Sequence, residues 1–268
     1  MRAPVAVLVD YDGTISTQDT VDALLHAFVE DQAEVDRLDR AYDEGTVGSR
    51  ELMAWDLDAL GPHPERLLSF AAAIPVDDGI VEIASSCRAR GALLEVVSDG
   101  LGFYVAPAMA QLGLADVPIV TNEARFGDGR GVAEFPFGHP RCFVCGTCKR
   151  ERVRAHQAAG RVVVFVGDGT SDRFAAAHAD VVFAKASLAR ICEAEGWPHI
   201  GWQRLSEVAA WLDDGWRAGR LPVDPEEFDA WRAVSGAGPR PFICGPEVWG
   251  EGRTTPGPGP RGRGQPVV

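Results

Sequence analysis

The sequence predicts an α/β protein built on a doubly wound, Rossmann-like parallel sheet with a helical cap inserted after the first strand. Three observations carry that expectation. Short apolar, β-branched runs recur along the chain, segments of helical spacing separate them, and a long helix-rich stretch follows the first run. Continuous apolar runs suit strands buried on both faces, and strand alternating with helix marks parallel crossovers.

The elements follow in chain order. Residues 5–9 form the first strand, 93–97 the second, and 162–166 and 181–183 two more, with 117–120 a fifth candidate. Helical spacing marks 80–90, 103–112, 150–159 and 172–177. Between the first two strands, Val21, Leu24, Leu25 and Phe28 share one helical face, and Leu52, Trp55 and Leu57 follow. That stretch is too long for a single crossover, so a cap is expected over 16–75, with the core in 1–15 and 76–220. Residues 123–137 read as a hairpin turning at Asp128-Gly129. Beyond Ala218, a short acidic helix candidate at 225–234 leads into a Pro-, Gly- and Arg-rich extension within 221–268. Its last ~20 residues are expected to be disordered, because such a composition buries little.

Composition narrows the function. With 268 residues and 46% hydrophobic content, the chain can bury a core without staples, so its six cysteines read as thiols or metal ligands rather than disulfides. A net charge of -13 repels phosphate backbones, and nucleic acid is not an expected partner. No apolar run approaches the ~20 residues that span a bilayer, and the N-terminal residues lack a secretory pattern, so a cytoplasmic protein without a membrane partner is expected. Neither Gly-x-Gly-x-x-Gly nor a phosphate-loop Lys motif follows a strand, which removes support for those nucleotide-binding folds.

Chemistry collects at the ends of the predicted strands. The first ends in Asp10-Tyr11-Asp12-Gly13-Thr14, where alternate residues bring two carboxylates to one sheet edge. The second ends in Val97-Ser98-Asp99-Gly100, where a hydroxyl and a tight turn can face an anion. Lys149 opens a helical segment after a Cys- and Gly-rich loop, and Gly167-Asp168-Gly169-Thr170-Ser171-Asp172 follows a later strand. Each has an ordinary reading as a turn, helix cap or solvated surface residue. The ordered set of Asp-x-Asp, Ser, Lys and Gly-Asp-(x)3-Asp makes joint coincidence improbable.

This order resembles the four motifs of the haloacid dehalogenase superfamily, over about residues 5–212. The resemblance implies Asp10 as the nucleophile and Asp12 as the acid/base, which favours phosphatases over dehalogenases. It implies Mg2+ held by Asp10, Asp168 and the carbonyl of Asp12, with Asp172 supporting that shell and orienting Lys149. Thr14, Ser98 and Lys149 would serve the substrate phosphate, Thr14 by fixing the loop. The expected activity is hydrolysis of a small phosphorylated metabolite; transfer to an acceptor alcohol and non-catalytic phosphometabolite binding are the alternatives.

The insertion resembles the cap of the phosphoserine phosphatase branch. Cys145-Gly146-Thr147-Cys148-Lys149, Glu134-Phe135-Pro136 and the stretch from Ala184 to Cys192 are similar to the 2-hydroxy-3-keto-5-methylthiopentenyl-1-phosphate phosphatases of methionine salvage. Two departures keep the substrate open: Ala54 falls where phosphoserine phosphatases carry a cap Arg, and Asp99 replaces the usual Gly after Ser98. His139, Cys142, Cys145 and Cys148 recur every third residue, which leaves structural zinc beside the alternative of a tight thiol-lined loop delivering Lys149. Oligomeric state is not readable from the sequence.

Overall fold

The computed structural model describes residues 4–43, 46–139 and 144–223. Within them, seven strands form one sheet: β1 (Val5–Val9), β2 (Leu93–Leu101), β3 (Ile119–Gly127), β4 (Arg130–Glu134), β5 (Val162–Gly167), β6 (Val181–Ala184) and β7 (Ile200–Gly201), in the order β4-β3-β2-β1-β5-β6-β7. Every neighbouring pair is parallel except β3 with β4. The chain leaves β1 toward β2 on one side and later returns to β5 on the other, so β1 is the switch point of a doubly wound sheet. A ligand crevice is expected at its carboxyl end.

Burial on both faces explains the unbroken apolar runs. Val5, Val7 and Val9 point into one cluster with Val96, Val164, Ile80, Leu205 and Trp202. Ala6 and Leu8 point into the other with Val163, Phe165, Phe174 and Leu188. The first cluster is covered by α5 (Gly79–Arg90) and α10 (Leu205–Arg217), the second by α7 (Lys149–Ala158), α8 (Arg173–Ala176) and α9 (Ala186–Glu195). The crossover from β2 to β3 is α6 (Gly102–Gln111).

Between β1 and β2, ahead of α5, lie four helices of the insertion: α1 (Thr20–Phe28), α2 (Gln32–Asp43), α3 (Ser49–Leu60) and α4 (Pro64–Ala71). The Asp19 side chain caps α1 by accepting from the Asp22 amide at 3.0 Å, and Pro64 opens α4, where its missing N–H costs nothing. Leu24, Leu25, Val35, Met53 and Leu57 extend the first apolar cluster into this insertion. Helix α3 leans on the β3–β4 hairpin, whose Gly131 packs against the Leu57 backbone. Arg50 ties the same helix to the loop before α7, donating from Nε to the Cys145 carbonyl at 2.8 Å.

Several expected boundaries move. Strand β2 continues through Ser98-Asp99 to Leu101, with a register irregularity after Val97, because tertiary pairing with β3 overrides the turn chemistry of Ser-Asp-Gly. The candidate strand at 117–120 and the first arm of the hairpin are one strand, β3, which pairs in parallel with β2 and antiparallel with β4. The turn lies where expected, with Asp128 at φ 50° and Gly129 at φ 80°, both left-handed as a two-residue hairpin loop requires. Strand β7 is too short to leave a periodic trace. The helix candidate at 225–234, the rest of the C-terminal extension and Cys142 lie outside the described residues.

Candidate active site

Asp10 sits one residue past β1, its amide donating to the Val166 carbonyl at 2.9 Å, which locks it to the neighbouring β5 edge. Its carboxylate meets Lys149 from the start of α7: the Lys149 Nζ donates to Asp10 Oδ1 at 2.7 Å, to Asp172 Oδ1 at 2.6 Å and to Ser171 Oγ at 3.1 Å. All three groups of this acid–ammonium–acid relay are nearly sequestered: Lys149 is 2% exposed, Asp10 4% and Asp172 0%. Burial alone would drive the ammonium down, but the charges of Asp10 and Asp172 hold its pKa well above the ordinary lysine value. Asp10 moves up, through burial first and then the repulsion of Asp172, which Lys149 only partly offsets.

Asp172 is fully engaged. Its second oxygen accepts the amides of Asp168 and Gly169 at 2.9 and 3.0 Å, so it fixes the loop after β5 as well as Lys149. Asp168 in turn accepts from the Thr14 hydroxyl at 2.7 Å and is pushed up to about 6 by burial and by Asp172. Gly13, at φ 72°, passes so near Asp168 that a Cβ there would overlap its carboxylate. Asp10, Asp168 and Asp172 each offer an oxygen within 4.8 Å of the others. These are hard oxygen donors carrying more negative charge than one ammonium neutralises, and such a set suits a divalent cation of the magnesium type. With both Asp172 oxygens occupied, Asp10 and Asp168 are the carboxylates left to ligate.

Asp12 points across the cleft toward the insertion. The Thr20 amide donates to its Oδ1 at 3.0 Å and the Tyr104 hydroxyl to its Oδ2 at 2.8 Å. Burial, then the charge of Asp19, raises its carboxyl to about 7 against those hydrogen bonds. Ser98 is completely buried, and its Oγ accepts the Gly100 amide at 2.9 Å. Asp99 is held by the Ser49 hydroxyl at 2.5 Å, the Thr147 amide at 2.7 Å and the Asn122 amide nitrogen at 3.0 Å, so it clamps the insertion to the core.

The cleft over these groups has a volume of about 180 Å³. Asp10, Asp12 and Asp168 line its floor, whereas Thr14, Ser98, Lys149 and Asp172 stand behind it. The insertion supplies Asp22, Leu52, Met53 and Asp56. Ala54 is exposed and does not line it, so the position weighed for a cap Arg points elsewhere. Tyr104, Asp22 and Asp56 carry no motif and escape sequence reasoning. The sole trace is the spacing of Met53 and Asp56 on the inner face of α3. Cys87 and Cys192 are buried in the two apolar clusters, as are Trp202 and Trp216 in the first.

A doubly wound sheet with this acid–lysine relay at the carboxyl end of its switch-point strand defines an α/β scaffold with an acidic site beside a helical insertion. A family model for haloacid dehalogenase-like hydrolases matches residues 7–177, and the chain belongs to that family. A 2-hydroxy-3-keto-5-methylthiopentenyl-1-phosphate phosphatase from an Exiguobacterium species is 28% identical over 77% of this chain and 96% of its own length. A protein of the same name from Brevibacillus brevis is 29% identical over 78% and 95%. Among solved structures, a substrate-bound phosphoserine phosphatase complex superimposes with a TM-score of 0.61 at 20% identity, over 79% of this chain and 99% of that one. That likeness is one of fold.

Proposed function

We propose that the chain hydrolyses a small-molecule phosphate monoester with Mg2+ through a phosphoaspartyl intermediate on Asp10, with α1–α4 as the cap that covers the substrate. The observation that carries this reading is the buried Lys149 ammonium bridging Asp10 and Asp172 at the base of a small cleft. It fixes the Asp10 carboxylate at the cleft floor and offsets part of the repulsion from Asp172. The Asp10 carboxylate attacks phosphorus while the ester oxygen leaves with the proton of Asp12. Asp12 then takes a proton from water, whose oxygen attacks the same phosphorus, releasing phosphate and restoring Asp10. A carboxyl raised to about 7 can give and take that proton near neutral pH. Bound to Asp10, Asp168 and the Asp12 carbonyl, magnesium would neutralise charge on the phosphoryl oxygens. Ser98 has a hydroxyl proton left to donate to one of those oxygens, and Thr14 steadies Asp168.

The names of the relatives supply one candidate ester, 2-hydroxy-3-keto-5-methylthiopentenyl-1-phosphate. The acidic cleft and the absence of a membrane-length apolar helix among the described residues fit an enzyme of small metabolites in the cytoplasm. The test is phosphate release from a panel of small esters with Mg2+ and with excess EDTA, for the parent and for Asp10→Asn. Release that needs the metal and vanishes in the variant is expected. Near-normal turnover by Asp10→Asn, or no release from any ester, defeats the mechanism.

A further inference from the structure

The cleft has a second pole that phosphate chemistry does not use. Opposite the Asp10–Asp168 floor, its wall carries Asp19 and Asp22 at the start of α1 and Asp56 on α3. No Lys, Arg or His is among its lining residues. At the floor, charge is balanced by Lys149 and by the cation the oxygen donors suit. Asp99 is satisfied by Ser49, Asn122 and Thr147. On the wall, Asp19 accepts the Asp22 amide as the cap of α1, but no cation among the lining residues faces Asp22 or Asp56. Asp56 is the sharpest case: it is 3% exposed, yet its Oδ1 has no hydrogen-bond partner among the described residues. Burial, then the charges of Asp22, Asp39 and Asp19, all of its own sign, push its carboxyl up to about 8. Near neutral pH that carboxyl keeps its proton in the free protein, and an ammonium arriving beside it would displace the proton and pair with the carboxylate.

A metal is a poor candidate for that partner. Among the described residues, the only trio of possible ligand atoms lying within 4.8 Å of one another is Asp10, Asp168 and Asp172, so the wall acids are too dispersed to chelate one ion. A spread of carboxylates beside the apolar Val21, Leu52 and Met53 suits an organic cation on a short carbon stem. We infer that the preferred substrates are short aminoalkyl phosphates, with the phosphate on the Asp10 floor and the ammonium group against Asp22 and Asp56. The cleft volume of about 180 Å³ keeps such a molecule to a few carbons between its two ends.

This inference rests on the phosphatase reading, and a matched pair of esters separates the two. With Mg2+ present, kcat/KM is measured for 2-aminoethyl phosphate and for ethyl phosphate, which differ only in the ammonium group. The amine is expected to be favoured by about 100-fold, from two charge-assisted contacts of roughly 1.5 kcal/mol each. Asp56→Asn and Asp22→Asn, near-isosteric replacements, are each expected to cut that ratio by about tenfold, mainly through KM. Equal turnover of the two esters by the parent enzyme, or a ratio untouched in both variants, overturns the inference and leaves the phosphatase standing. No metal-dependent release from either ester or from the wider panel defeats both.

Discussion

At the residue scale, the acid/base step turns on Asp12. Its proton must be present when the leaving oxygen departs, so a carboxyl raised to about 7 sets an alkaline limb: kcat/KM should fall by about tenfold per pH unit above that value. Tyr104 donates to the ionised form of Asp12 and therefore lowers its pKa. Tyr104→Phe removes that donor, and the alkaline limb should move to higher pH by up to about one unit, the worth of a hydrogen bond of ~1.4 kcal/mol. A pH–rate profile checks it, and a limb that stays in place denies Tyr104 this positioning role. An ester of 4-nitrophenol, whose leaving group needs little protonation, should show a weaker limb in both forms. Sequence reasoning reached Asp12 because it lies two residues from Asp10 beside a turn glycine. It did not reach Tyr104, which stands 92 residues away and meets Asp12 only because α6 begins where β2 ends.

At the scale of elements, the hairpin and the insertion hold each other. Gly131 on β4 lies so close to α3 that a Cβ would come within 2.7 Å of the Leu57 carbonyl oxygen, and backbone cannot rotate aside as a side chain can. Gly131→Val should therefore push α3 outward, carrying Asp56 and Ser49 with it, and cost about 1–3 kcal/mol of stability as overpacking does. The expected signature is a raised KM with a smaller loss in kcat, because Asp10 follows β1 and Lys149 opens α7, so neither rides on α3; an unchanged KM would mean that the contact yields without moving the helix. This layer was the least legible in the sequence. Strands β1 and β5 are plain because both faces are apolar, and the Asp128-Gly129 turn is plain because few residues tolerate left-handed backbone. The extension of β2 through Ser98 and Asp99 was hidden, since local turn preference points one way and pairing with β3 decides the other. Which face of α3 looks into the cleft is set by packing on β4, a contact that sequence spacing does not record.

Across the whole molecule, a cluster of acids whose carboxyls are raised by folding ties stability to pH. A raised group keeps its proton in the folded state to higher pH than in the unfolded chain, near 3.9 for Asp, so the stability it contributes is complete below that value and is lost as pH climbs through the folded pKa. Asp168 at about 6, Asp12 at about 7 and Asp56 at about 8 place this loss between about pH 4 and pH 8. Glu95 runs the other way: folding lowers its pKa despite burial, through His156 and Arg152, so its contribution is lost only as pH falls below about 4.5, more acid than the span from pH 5 to pH 8. Lys149, raised, stays charged throughout. The metal-free protein should thus melt at progressively lower temperature from pH 5 to pH 8. Magnesium binding to the folded state at about 100 times its Kd adds ~2.7 kcal/mol, or roughly 5–10 °C at this chain length. Its benefit should grow toward pH 8, as the carboxyl of Asp168 ionises. Asp56→Asn removes one titrating group that lies away from the metal site, so the melting temperature of the metal-free variant should vary less with pH. Thermal melts in EDTA and in Mg2+ across that range test the claim; a metal-free protein that grows more stable toward pH 8 would show that these carboxylates are relieved of their mutual repulsion by something other than protons or the metal.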